Sequence, residues 1–183
     1  MAAGQAAAEG KNLRIIFRDE ARFGRLPVMR AAWAPKGVRP KIKAAIEREF
    51  RYVYGAISPV EGELDWMCSE SMNTENMNRF LAQIGSAHPD DRILMVLDGA
   101  SSHKSSTLKI PGNMTLLGLP PYSPELNPVE NLWDHVREKG CANRFFKTLD
   151  EVICRVDQEL HSLSQCAKTV AGMFCRPYLL MAI

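Results

Sequence analysis

Three acidic residues stand where apolar elements give way to turns or begin. Asp19 follows the run Leu13-Arg14-Ile15-Ile16-Phe17, and Asp98 follows the almost continuous apolar stretch Arg92–Leu97. Glu130 lies in the first turn of a helix announced by Asn127 as cap, Pro128 at the first helical position and Glu130 at the third. In a mixed sheet, neighbouring strand ends and a nearby helix start can share one edge. Three carboxylates brought together there repel one another, and each resists ionisation. A divalent cation removes that penalty. Mg²⁺ takes a few carboxylate oxygens and keeps positions for water and phosphate, and two such ions suit an in-line phosphoryl displacement. Each acid also has a structural reading: Asp19 as a turn residue, Asp98 as an Asx turn before Gly99, Glu130 as part of a capping box. Glu20, Glu125 and Asp134 are rival acids, Asp134 one helical turn beyond Glu130.

The elements that would position these groups read as follows. Residues 1–11 form an Ala- and Gly-rich lead-in, and 12–183 form one domain. The first strand signal ends at Asp19. The basic stretch from Gly24 to Ala45, broken by Pro27, Pro35, Gly37 and Pro40, is open between a strand and a loop hairpin. Phe50 to Ile57 and Glu63 to Ser69 read as strands joined by a turn. Met77, Phe80, Leu81 and Ile84 then make one helical face, with Thr74 as cap. Arg92–Leu97 reads as a strand buried on both faces, followed by a short helix and a strand over Met114–Leu119. After the four-proline loop LPPYSPELNP, the helix bearing Glu130 buries Val129, Leu132, Trp133 and Val136. A last long helix starts at Thr148, where Glu151 completes a capping box. Early strands in succession followed by strand–helix alternation predict an α/β fold: a mixed sheet with helices on both faces.

Composition narrows the classes. The chain has 183 residues, 46% hydrophobic and 24% charged, as a soluble globular protein does. The start lacks the apolar core of a signal peptide, and no run reaches the roughly 18 apolar residues of a membrane span. The five cysteines are odd in number, with no C-x-x-C pair, so buried free thiols in a reducing cytoplasm are expected. Net charge is only +2, yet residues 1–51 carry +7 and residues 52–183 carry −5. That asymmetry suits one surface for a polyanion and another for a cation.

The segments FRDEARFGRLP, WAPKGVRP, MVLDGASSHKS and LPPYSPELNPVENLW resemble the DDE-superfamily transposases. The branch they look most like is the mariner-related bacterial insertion-sequence transposases (insertion-sequence family six-thirty), over about Leu13 to about Leu163. The resemblance implies an RNase H-like catalytic domain with a five-stranded mixed sheet. It implies that Asp19, Asp98 and Glu130 bind metal, Mg²⁺ with Mn²⁺ as substitute and two ions in all. It also implies hydrolysis at transposon ends, then strand transfer by the freed 3′-hydroxyl. The partners implied are the transposon ends and target DNA, and the chain is expected to dimerise on DNA because two ends are cut in concert.

Around the acids, Arg22, Arg25, Arg30, Lys36, Arg39, Lys41 and Lys43 are expected to include sequence-independent contacts to DNA backbone. His103, five residues beyond Asp98, falls where this family usually has a histidine. It contacts phosphate, positions water or makes a structural hydrogen bond. Lys104 contacts phosphate or solvent. Trp33 stacks on a base or packs on the sheet, packing being the favoured reading. Trp133 reads as core, and Tyr122 as fixing the third acid's helix. Two departures from the family pattern stand out. Gly99 stands where many relatives have Asn, although Gly also occurs in this branch and is not read as disabling. Only about a dozen residues precede the first strand, so the helix-turn-helix that reads transposon ends is expected to be absent from this chain. The chain is then the product of a second reading frame, joined to an upstream one, or a truncated remnant that binds DNA without turnover. A third reading is an RNase H-like nuclease acting on another nucleic acid.

Overall fold

The structure, a computed structural model, describes residues 9–44, 47–98, 107–121 and 123–175. Five strands form one sheet: β1 (Asn12–Gly24), β2 (Phe50–Ser58), β3 (Glu63–Ser69), β4 (Asp91–Leu97) and β5 (Met114–Gly118). Their order is β3-β2-β1-β4-β5. β1, β2 and β3 form an antiparallel meander, and β4 and β5 add in parallel on the other side of β1. The mixed five-stranded sheet expected from the sequence is therefore present.

Side-chain alternation along β1 sorts two cores. Ile15, Phe17, Ala21 and Phe23 point to one face and Ile16 to the other. Helix α1 (Thr74–Ala87) crosses from β3 to β4 and packs Met77, Phe80, Leu81 and Ile84 against Ile16, Tyr54, Ile93 and Met95. Helices α2 (Val129–Val136), α3 (Leu149–Ser164) and α4 (Ala167–Phe174) cover the opposite face through Trp133, Val156, Leu160 and Phe174. The π-helical turn Arg137–Cys141 continues α2 without a break. Gly62, in the β2–β3 turn, has φ +73°, and a Cβ there would stand 2.1 Å from the Ala167 carbonyl oxygen. Glycine thus lets α4 close on the turn.

Several expectations need correction. β1 does not end at Asp19 but runs on to Gly24, because β2 pairs with it from Phe17↔Ile57 to Gly24↔Phe50. The α1 cap is Asn73 rather than Thr74, its side chain accepting from the Asn76 N–H at 2.9 Å. The α3 cap is Thr148 as expected, although Glu151 reaches back to the Lys147 N–H at 2.7 Å. Residues 25–44 are irregular, tied to the body by a bridge between Val28 and Ala142. All five thiols are free, but only Cys141 is buried; Cys68, Cys154 and Cys166 are exposed. Trp33 is fully exposed, so it does not pack on the sheet. Residues 107–113 contain no helix, and the rest of that connection lies outside the described residues. Among the described residues, no helix is long and apolar enough to cross a membrane.

Candidate active site

β1 and β4 run parallel, and their last register pair is Phe17↔Val96. Asp19 and Asp98 each lie two residues further along, so the two acids leave the paired region side by side. Asp19 points to the α2 face with Phe17 and Ala21 and is only 9% exposed. Asp98 is exposed, immediately after β4.

Glu130 comes to the same place because α2 is fastened to β1. Asn127 Oδ1 accepts from the Val129 N–H at 3.2 Å, and Pro128 is already helical at φ −64° and ψ −17°. The regular helix starts at Val129 with Pro128 as its cap residue, one position later than the sequence predicts, so Asn127 bonds into the first turn from just before the cap. The other end of the same amide donates from Nδ2 to the Arg18 carbonyl at 3.3 Å, and Asn127 is buried. One turn later, Trp133 Nε1–H donates to Asp19 Oδ2 at 2.9 Å. The first turn of α2 is thus held to β1 at Arg18 and Asp19.

The electrostatics record the convergence. Burial, most of all, and then the charge of Glu130 push the Asp19 carboxyl up from an ordinary 3.8 to about 7. The Trp133 hydrogen bond opposes this, Asp98 adds to it, and Arg18 opposes it more weakly. Asp19, Glu130 and Asp98 therefore lie within electrostatic reach of one another. Among the described residues, no three His, Cys, Asp or Glu side chains are gathered closely enough to hold a metal ion. The three carboxylates are hard oxygen donors with excess negative charge, a chemistry that suits a hard divalent cation.

The rival acids lie elsewhere. Glu20 points to the α1 face and pairs with Arg18, which is fully buried with its guanidinium 5.4 Å from the Tyr54 ring centre. Burial lowers the Arg18 pKa to about 10, against the pull of Asp19, Tyr54 and Asp98, so the group stays cationic at neutral pH. Asp134 is largely solvated beside Arg137, and Glu125 is exposed on the single turn Pro124–Leu126.

The basic residues separate by environment. Arg22 lies over the Phe50 ring at 4.6 Å. Arg25 is paired with Glu47 and with Glu49, and so is partly neutralised. Lys36, Arg39, Lys41 and Lys43 are exposed on the irregular stretch, whose root is held where Arg30 and Asn143 exchange two hydrogen bonds of 3.0 Å. A cavity of about 600 Å³ at the far end of β1 is lined by Arg22, Arg48 and Arg137 with Phe23 and Phe50. His103, Lys104, Gly99 and Tyr122 lie outside the described residues.

Sequence reasoning missed three supports of the site: the Asn127 bond to β1, the Trp133 bond to Asp19, and buried Arg18. The glycine at position 55, inside the strand FRYVYGAIS, carried an available signal, because an isolated glycine in a strand marks a close approach.

The β3-β2-β1-β4-β5 sheet, with Asp19 within β1 and Asp98 just after β4, has the RNase H-like fold. The chain belongs to the DDE superfamily endonuclease family, which matches residues 14–153. Over 103 residues it is 41% identical to the uncharacterized protein y4pE/y4sA of Sinorhizobium fredii, covering 56% of this chain and 76% of that one. Its fold is similar to the Mos1 strand transfer complex, with TM-score 0.66 and 17% identity over 88% of this chain and 50% of that one. The Mos1 mariner paired end complex with Mn gives TM-score 0.67 and 16% identity, over 88% of this chain and 51% of that one. The chain thus spans about half the length of these solved Mos1 chains.

Proposed function

We propose that this chain is the catalytic domain of a DNA transposase that cleaves transposon ends and joins them to target DNA. Asp19, Asp98 and Glu130 would hold the divalent metal, Mg²⁺ or Mn²⁺, as two ions. The observation that carries the reading is the buried Asp19 carboxyl, raised to about 7 by burial and by the other two acids. A buried acid facing two like charges is poorly placed for stability alone and well placed for a cation. Bound there, the metal supplies activation of the attacking oxygen and stabilisation of the leaving one.

The chain's own residues supply the geometry. β1 and β4 fix two carboxylates on neighbouring strands, and Asn127 fixes the helix that carries the third. Trp133 keeps one Asp19 oxygen engaged and excludes water beneath it. Lys36, Arg39, Lys41 and Lys43 are assigned to DNA phosphates. The cavity with Arg22, Arg48 and Arg137 adds positive charge about 13 Å along β1 from Asp19. Concerted cutting of two ends would bring two such catalytic domains together on DNA. The free thiols suit a reducing cytoplasm.

A thermal-shift titration with Mn²⁺ and Mg²⁺ tests the reading. Ligand that binds only the folded state raises the midpoint by mass action. Stabilisation in the wild type that is lost in Asp98→Asn and in Glu130→Gln is expected. A folded wild type indifferent to both ions would point instead to a remnant that binds DNA without turnover.

A further inference from the structure

The α2 helix carries an acid of the site and, three residues on, a tryptophan bonded to a different acid. Glu130 and Trp133 occupy neighbouring positions on the helix surface. Trp133 Nε1–H reaches Asp19 Oδ2 at 2.9 Å, 114 residues away in the chain, and both groups are buried. An indole can only donate. It therefore favours the ionised carboxylate and fixes the orientation of Oδ2, and with it the direction in which the remaining lone pairs of the carboxylate face a cation.

The ring reaches Asp19 through a gap in the neighbouring strand. Gly55 is the register partner of Asp19 on β2. A Cβ at Gly55 would stand 2.5 Å from Trp133 Cη2 and 2.8 Å from Cζ2. Any side chain there would force the indole away. Phe23 closes the other side, its ring edge-on to Trp133 with centroids 6.0 Å apart. The indole is thus confined on two sides and has its single polar atom aimed at the carboxylate.

We infer that Trp133 is a positioning residue for the metal-binding carboxylate of Asp19, and that Gly55 is present to admit its ring. The inference rests on the metal-site reading above. It adds that one short helix sets the spacing between the first and third acids, through its own Glu130 and through the Trp133 bond. Removing a hydrogen-bond partner that orients a metal ligand typically costs about 10–100-fold in metal affinity.

Mn²⁺ binding to the full chain, measured by isothermal titration calorimetry, tests this without requiring turnover. In one variant, 3-benzothienylalanine replaces Trp133, keeping the bicyclic shape and removing the N–H. A second is Trp133→Phe, and a third Gly55→Ala. Far-UV circular dichroism selects conditions in which each is folded. The isostere is expected to bind Mn²⁺ about tenfold or more weakly than wild type, with Trp133→Phe losing at least as much. The Gly55→Ala loss should fail to add to that of the isostere, because both act through one bond. Wild-type affinity in the folded isostere overturns the inference while leaving the metal site standing. Absence of Mn²⁺ binding in the wild type, or binding unaffected by Asp98→Asn, overturns the metal-site reading and this inference with it.

Discussion

Asn127 joins the start of α2 to the backbone of Arg18: its amide donates to the Arg18 carbonyl while its oxygen accepts from the Val129 N–H. A residue that reads as a helix cap is also the fastening between helix and central strand. Asn127→Ala removes both bonds in a buried setting. Unfolding in urea should show a loss of about 1–3 kcal/mol. Asn127→Ser keeps a cap but is too short for Arg18, and should recover part of that loss.

The Asp19 contribution to the stability of the metal-free protein should fall as pH rises from about 4 to 7. The Asp19 carboxyl titrates near 7 when folded and near 3.8 otherwise. Between those values the folded state holds a proton the unfolded state has released, so rising pH favours unfolding. Below about 4 both states are protonated, and this contribution is fully present and no longer varies with pH. Urea midpoints across this range, compared with Asp19→Asn, check the sign: the variant should lack this part of the slope.

Two tryptophans should behave oppositely. Trp133 is 1% exposed and Trp33 fully exposed. Trp133→Ala should cost about 3–5 kcal/mol, whereas Trp33→Ala should stay within about 0.5 kcal/mol. Chemical denaturation of the two variants side by side distinguishes them.

Thiol reactivity should follow exposure and local hydrogen bonding. Cys166 is exposed, and hydrogen bonds from Thr169, first from its side chain, lower its pKa. Burial pushes the Cys141 thiol up to about 11. Timed labelling with a disulfide reagent near neutral pH should modify Cys166 early and Cys141 only on unfolding.

DNA affinity should fall with salt, and the dependence should shrink when exposed lysines are removed. Taking away one phosphate-binding cation lowers the log–log slope by about 0.9. Lys41→Ala and Lys43→Ala should each reduce it, read by fluorescence anisotropy across a salt series. Arg25→Ala should change it less, because Glu47 and Glu49 already hold that guanidinium.

The parts of the fold with strong local signals are legible in the sequence. The Asn127-Pro128-Val129-Glu130 start marks α2, and Val129, Leu132, Trp133 and Val136 are all buried as their spacing requires. β1 is harder to read for a physical reason. Asp19 occupies a position between Phe17 and Ala21 where alternation expects an apolar residue, so this acid itself hides the second half of the strand. Arg18 is hidden likewise, since its burial depends on Glu20 and on Tyr54 from another strand. The short, glycine-containing α4 carries little helical signal and forms against β3 and α3. Trp33 and the exposed cysteines show that residue type alone does not decide burial.

The sheet order also sets when an active domain can exist. The antiparallel β1-β2-β3 meander can close as soon as Ser69 has emerged from the ribosome. β4 arrives only after the α1 crossover, and the helix bearing Glu130 after that. From Asp19 to Glu130 the ribosome needs roughly 5–20 s at typical rates. Throughout that interval the nascent chain contains the strand that holds the first acid but no complete set of three. Any chain released before Trp133 contains the meander strands but lacks the helix contacts to Asp19, so the candidate site is completed well after the first strands are made.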